Sequence, residues 1–180
     1  MTTMQEKLHT TFEALKSVFS YTNLLQAPRI EKVVISTGVG KITDRNQRAL
    51  IEDRLAKITG QKPAPRGAKK SVASFKIREG DTVGYQVTLR GTRMRHFLDK
   101  LVHVALPRTR DFRGLPLSAI DEMGNYTIGV REHTIFPETS DEELKDVFGL
   151  AITIVTTAKT KGETEALLRH IGLPLQKQAE

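Results

Sequence analysis

The sequence holds neither cysteine nor tryptophan in its 180 residues. Without cysteine there is no disulfide framework, no thiolate zinc site and no cysteine nucleophile. Long apolar runs are missing too: no stretch approaches the roughly 18 to 20 residues of a membrane span, so no membrane partner is expected. The opening residues, MTTMQEKLHTTFEAL, carry acids early and no apolar core, which predicts neither a secretory signal nor a transit peptide. What is present is ordinary for a folded soluble chain, 38% hydrophobic and 27% charged. A chain of this length buries roughly 70% of the surface its unfolded form exposes, so one domain spanning 1–180 can stand without staples or metal.

Charge is the most informative quantity. Lys and Arg number 28 against 21 Asp and Glu, a net of +7. Residues 61–115 hold 13 of those cations and 4 of the acids, while the remainder holds 15 and 17. The whole basic excess therefore lies in the middle third. A solvated surface needs charge but not concentration of one sign, whereas neutralising phosphates requires a local basic field.

Along the chain, Met4, Leu8, Phe12, Leu15 and Phe19 form one stripe of an amphipathic helix. IEKVVIS (30–36) reads as a strand, and TGVG (37–40) as a tight turn in which Gly38 and Gly40 supply unusual backbone angles. Asp44, with Gln47 three residues on, caps a helix that buries Ile51, Leu55 and Ile58 and stops at Gly60. Residues 61–81 contain two prolines, two glycines and Lys62, Arg66, Lys69, Lys70, Lys76 and Arg78. No long period runs through them, which predicts a long basic loop whose inner piece, SVASFKI, forms an extended arm. TVGYQVTLR (82–90) alternates: Val83, Tyr85, Val87 and Leu89 point one way, and Gly84, Gln86, Thr88 and Arg90 the other. Thr92 caps the next helix, whose apolar stripe is Met94, Phe97, Leu98, Leu101, Val102 and Ala105. PRTRDFRGLP (107–116) is a second basic loop. NYTIGVR (125–131) and FGLAITIVTT (148–157) are strands, and 163–171 is a short helix with Ala166, Leu167 and Ile171 inward. Two late strands without a long crossover helix favour an α+β sandwich.

Enzymatic and nucleotide-binding motifs fail on inspection. A Walker loop ending in Gly40–Lys41 would need glycine at Ile35 and Ser or Thr at Ile42, and a dinucleotide fingerprint would need glycine at Thr43. His9, His96, His103, His133 and His170 show no metal-ligand spacing and no neighbouring nucleophile, so neither metal nor cofactor is expected. Asp141, Glu142 and Glu143 follow Thr139 and Ser140, a pattern suited to a helix N-terminus. An enzyme acting on RNA would need convergent catalytic groups that the spacing does not offer. A free-standing RNA-binding regulator or chaperone stays open as an alternative.

The basic segments differ from these. Cations surround Phe75 in the long loop. The ring either stacks on a base while the cations hold phosphates, or belongs to the core beneath a solvated loop. Arg108, Arg110 and Arg113 flank Asp111 and Phe112, where the carboxylate can hold the arginines in a fixed arrangement.

Longer stretches carry a family likeness: PRIEKVVISTGVG (28–40), GQKP (60–63), AKKSVASFKIREG (68–80), VTLRG (87–91), PRTRDFRGL (107–115), GNYTIGVREHTIFPE (124–138) and ITIVTTAKT (152–160). In this order and spacing the chain resembles the universal L-five family of large-subunit ribosomal proteins, in its bacterial-type branch. The resemblance implies a mostly antiparallel sheet with helices packed on one face. It implies a cytoplasmic, ribosome-bound protein that is not an enzyme. The implied partners are 5S rRNA in the central protuberance, large-subunit rRNA, peptidyl-site tRNA and a protein of the small-subunit head. The family's 5S rRNA contacts match Ser36, Gln61 and Thr88. Position 36 is usually Asn, and Ser is shorter and cannot pair bidentately. The family's tRNA-reaching arm matches 68–80, with Lys69, Lys70, Ser71, Phe75, Lys76 and Arg78. The subunit bridge matches Arg108, Arg110, Asp111, Arg113 and Arg131.

Overall fold

The computed structural model describes residues 4–42, 44–139 and 147–176. Among the described residues, four α-helices and five strands follow in the order α1 (Met4–Phe19), β1 (Ile30–Gly38), α2 (Arg45–Thr59), β2 (Ala64–Gly67), β3 (Thr82–Leu89), α3 (Gly91–Lys100), β4 (Tyr126–Val130), β5 (Leu150–Thr156) and α4 (Lys161–Ile171). The strands form one antiparallel sheet in the order β2-β3-β1-β5-β4. This is an α+β fold, as the mixture of periods predicted.

The described residues gather into two compact units, one drawn from Met1–Val33, Arg90–Ile128 and Thr153–Glu180, the other from Val34–Leu89 and Gly129–Ile152. In the first, α1 packs on α3 and α4. Met4 and Leu15 of α1, Leu98 of α3, and Leu167, Leu168 and Ile171 of α4 are buried. Leu8, Phe12 and Phe19 are only half-buried, and Thr11 is buried instead, because its hydroxyl donates to the Lys7 carbonyl one turn back at 3.1 Å. Thr164 is buried in the same way, donating to Gly124 O at 3.0 Å and Thr160 O at 3.2 Å, whereas Ala166 is half-buried. Lys7 reaches across to the C-terminal carbonyl of α4, with Nζ donating to Ile171 O at 3.0 Å. Tyr21 O–H donates to Glu163 at 2.8 Å, and burial, then that carboxylate, pushes the phenol well above its usual range.

The start of α3 departs from the expected Thr92 cap. Arg90 holds the cap position without a side-chain capping bond, its guanidinium donating to Glu31 at 3.2 Å instead, and the helix begins two residues earlier than a Thr92 cap implies, at Gly91. The predicted stripe from Met94 to Ala105 is buried throughout, but beyond Lys100 the backbone widens into a π-helical turn (Leu101–Ala105) and closes with a 3-10 turn (Leu106–Arg108).

In the second unit, α2 packs on β3 and on the 137–139 turn. Asp44 caps α2 as expected, accepting from Asn46 N at 2.9 Å, and Gly60 ends it at φ +68, a conformation that strains any side chain. Ile51, Leu55 and Ile58 are buried with Ile35, Val87, Leu89, Phe136 and Ile152. His133 is a packing histidine: its ring stacks on Phe148 at 4.1 Å, and Nδ1 accepts from Phe148 N at 3.3 Å. The acidic run Asp141–Glu143 lies outside the described residues.

Two expectations fail in this unit. Residues 61–81 are not all loop: Ala64–Gly67 forms β2, paired antiparallel with β3 from Ala64↔Gln86 to Gly67↔Thr82, with a register shift after Arg66. β2 is an edge strand, where Pro65 costs no ladder bond. Nor do Gly38 and Gly40 take left-handed angles; neither has a positive φ.

Candidate nucleic-acid interface

β1 and β3 are neighbours, and each buries alternate residues. On β1, Val33, Ile35 and Thr37 are buried while Val34 and Ser36 are half-exposed. On β3, Tyr85, Val87 and Leu89 are buried while Gln86 and Thr88 are half-exposed. Ser36 and Thr88 therefore belong to the open set of adjacent strands. Gln61 arrives from the end of α2, where Thr59 ties down its backbone: the Thr59 hydroxyl donates to Gln61 O at 3.0 Å. The Gln61 amide then donates to the Thr88 carbonyl at 3.4 Å, which brings two of the three predicted contacts together.

The hydrogen-bond pattern separates these hydroxyls from their neighbours. Thr37 Oγ1 donates to Gly149 O at 2.7 Å, Thr59 Oγ1 to Leu55 O at 2.7 Å, and Thr139 Oγ1 to His133 O at 3.1 Å. Among the described residues the Ser36 and Thr88 hydroxyls have no partner. A half-exposed hydroxyl with both donor and acceptor free is suited to an incoming polar ligand. Beside them Arg66 Nε donates to Gln86 Oε1 at 2.6 Å, a pairing that sequence reasoning missed, because it depends on β2. Tyr85, on the covered side of β3, has its phenol pushed up by burial, with Glu52 adding to the shift.

The predicted arm is a closed hairpin rather than an extended strand. Ala68 and Gly80–Asp81 clasp its base, with Ala68 N on Asp81 O at 2.8 Å and Gly80 N on Ala68 O at 3.0 Å. Val72 and Ile77 exchange both backbone bonds, at 2.9 and 3.2 Å. A 3-10 turn (Ala73–Phe75) makes the tip, and Lys76 leaves it at φ +53. Ser71 Oγ accepts from Glu79 N at 2.9 Å, and Asp81 from Arg78 N at 2.8 Å, so the arm is braced by its own polar groups. The Phe75 ring is 70% exposed, which removes the core alternative. Lys69, Lys70, Lys76 and Arg78 are exposed, and no ion pair among the described residues engages them.

Arg108, Arg110, Asp111 and Arg113 lie in one exposed loop, anchored where Thr109 N meets Leu106 O at 3.1 Å and Leu115 N meets Pro174 O at 2.8 Å. Among the described residues Asp111 forms no ion pair with the arginines. It stands at φ +50, so the expected fixed arrangement is not made. Arg131 is exposed just after β4 and belongs to the other unit. No group of three or more His, Asp or Glu among the described residues could hold a metal ion. No described helix is long and apolar enough to cross a membrane.

Two family models match this chain. Residues 23–78 match that of Ribosomal protein L5, and residues 82–175 match that of the C-terminus of the same ribosomal family. The matches take in the sheet, the arm as far as Arg78 and the 107–116 loop, and leave out α1. The chain therefore belongs to the ribosomal L5 family, and is a non-enzymatic, rRNA-binding structural constituent of the large ribosomal subunit.

Proposed function

We propose that this protein, of the bacterial type and working in the cytoplasm, binds 5S rRNA through Ser36, Gln61 and Thr88 and helps build the central protuberance. The observation that carries the reading is the pair of unsatisfied hydroxyls on the open side of β1 and β3, with Gln61 held against Thr88. RNA supplies what they lack: 2′-hydroxyls, phosphate oxygens and base edges that donate and accept. Gln61 Nε2 makes only a long bond to Thr88 O, so its carbonyl oxygen and second N–H are left for the same partner.

The arm serves a different RNA. Its four exposed cations and the Phe75 ring meet the elbow of the peptidyl-site tRNA, a contact that must serve every tRNA and so reads backbone and shape. Arg108, Arg110, Asp111 and Arg113 in one unit, and Arg131 in the other, are each assigned to the small-subunit head protein, and exposed arginines with no ion pair among the described residues support that assignment. The mechanism is positioning: cations neutralise phosphates, sheet hydroxyls read the RNA, and the buried faces hold both in register. Titrating purified protein with 5S rRNA, with Thr88→Val alongside, tests the reading. Weaker binding by the variant with an unchanged unfolding midpoint is expected, and equal affinity removes Thr88 from the site.

A further inference from the structure

A groove of about 760 Å³ lies within the second unit, lined by residues that include Gly38, Lys41, Arg48, Phe75, Lys76 and Asp81. Its volume falls in the range of small-molecule sites. Lys41, Arg48 and Lys76 share this lining with one carboxylate, Asp81. Arg48 Nε donates to Ile42 O at 2.6 Å, which fixes the guanidinium; its charge also acts on the Tyr85 phenol, and its terminal nitrogens make no hydrogen bond or ion pair among the described residues. Asp81 accepts from Arg78 N at 2.8 Å through one oxygen, and its other oxygen is open.

Gly38 leaves the groove open on its side. It ends β1 without a positive φ, and a Cβ built on it would meet no described atom within 4 Å. Gly84 shows the contrasting case: a Cβ there would come within 2.8 Å of Thr37 O, so the chain's own packing demands glycine. Nothing in the backbone or its neighbours demands it at 38. Gly129 and Gly162 share this open space, so at 38 it means that the groove is unobstructed there.

We propose that this groove holds one unpaired RNA nucleotide. The base lies against Phe75, the phosphate sits among Lys41, Lys76 and Arg48, and Asp81 accepts from an exocyclic amine or a ribose hydroxyl. Aromatic stacking beside cations is the usual solution for a single-stranded nucleotide. The proposal rests on the RNA-binding reading above; its residues are distinct from the sheet hydroxyls and share Phe75 and Lys76 with the arm, so the arm and the groove engage RNA through common side chains. A free nucleoside monophosphate has the same chemistry, so the test includes one.

The full-length protein is titrated with two short RNA hairpins, identical except that one carries a single bulged 2-aminopurine nucleotide, and with AMP alone. The bulged hairpin is expected to bind about tenfold tighter than the paired one, the order of one stacked base, with a change in its fluorescence. Gly38→Leu fills the groove and removes that preference. Gly38→Ala intrudes less and removes part of it, which keeps the test valid if the leucine variant does not fold. Equal affinity for the two hairpins overturns the proposal, as does a preference that survives both Gly38→Leu and Phe75→Ala. AMP binding as tightly as the bulge overturns the assignment to RNA. A parallel titration with 5S rRNA separates the two levels. If wild type fails to prefer 5S rRNA over tRNA, the functional reading falls. If it prefers 5S rRNA in a Thr88-dependent way while the hairpins bind alike, only the subsite falls.

Discussion

Thr37 and Thr88 stand on neighbouring strands of one sheet and differ in which side they occupy. Thr37 is buried, and its hydroxyl is satisfied by Gly149 O at 2.7 Å. Thr88 is half-exposed, and its hydroxyl has no partner among the described residues. The cations divide in the same manner. On and after α2, Lys57 and Arg54 lie 2.8 and 4.0 Å from Asp53, and Lys62 lies 3.9 Å from Glu52. On the arm, Lys69, Lys70, Lys76 and Arg78 have no such neighbours among the described residues. One residue type thus does two jobs in one unit. Groups satisfied internally hold the fold, and groups left open are available to RNA.

The largest effect expected from this division is on the arm. Replacing Lys69, Lys70, Lys76 and Arg78 by neutral residues should weaken tRNA binding about a hundredfold at physiological salt and reduce the salt slope by about 3. Neutralising Arg54 and Lys57 should change neither, and a filter-binding titration across salt concentrations compares the two sets. The arm variant should retain its 5S rRNA affinity, so an equal loss on both RNAs would collapse the arm and the sheet into one undifferentiated basic field.

Next come the two threonines. Thr88→Val should cost about 1–3 kcal/mol of 5S rRNA affinity, because an RNA polar group is left unpaired, while the unfolding free energy moves by less than about 0.5 kcal/mol. Thr37→Val should do the reverse. It should cost about 1–2 kcal/mol of stability by orphaning Gly149 O and leave RNA binding unchanged. Urea unfolding and RNA titration of both variants complete the exchange, and a Thr37 variant that loses RNA affinity without losing stability would break the comparison.

The smallest effect concerns a buried hydroxyl at high pH. Tyr126 is fully buried, donates to Pro116 O at 3.0 Å, and is pushed up to about 12 by burial. Its folded value lies above the roughly 10 of an unfolded tyrosine. The folded form therefore holds the proton more tightly, and this contribution is complete below about pH 10 and lost as pH rises toward 12. Urea midpoints at pH 8, 10 and 11 should fall less steeply for Tyr126→Phe than for wild type, although Tyr21 and Tyr85 keep part of the slope.

Elements with strong local periods were legible in the sequence. The stripe at Met94–Ala105, the alternation of β3, β4 and β5, and the Asp44 and Gly60 boundaries of α2 are set by neighbours a few residues apart. β2 was hidden because Ala-Pro-Arg-Gly has no strand signature of its own, and its pairing is imposed by β3 about twenty residues away. Thr11 and Thr164 were hidden because threonine reads as polar, yet each hydroxyl bonds a carbonyl four residues back. At the candidate interface, the resemblance supplied Ser36, Gln61 and Thr88, and side assignment agreed for Thr88, which it placed on the polar side with Gln86 and Arg90. The Gln61–Thr88 bond, the Arg66–Gln86 bond and the arm's closed rung are nonlocal and had no sequence signal. The glycines of the 37–40 turn suggest special conformation in the sequence, whereas neither has a positive φ and a Cβ would fit beside either.

The most direct test is a competition titration of wild type and Thr88→Val with 5S rRNA against tRNA at several salt concentrations. The account predicts that wild type favours 5S rRNA by about a hundredfold, roughly 2.7 kcal/mol, that the margin persists as salt rises, and that Thr88→Val erodes it. Two RNAs that bind wild type alike and fall away together with salt would contradict it, leaving the basic field alone as the source of binding.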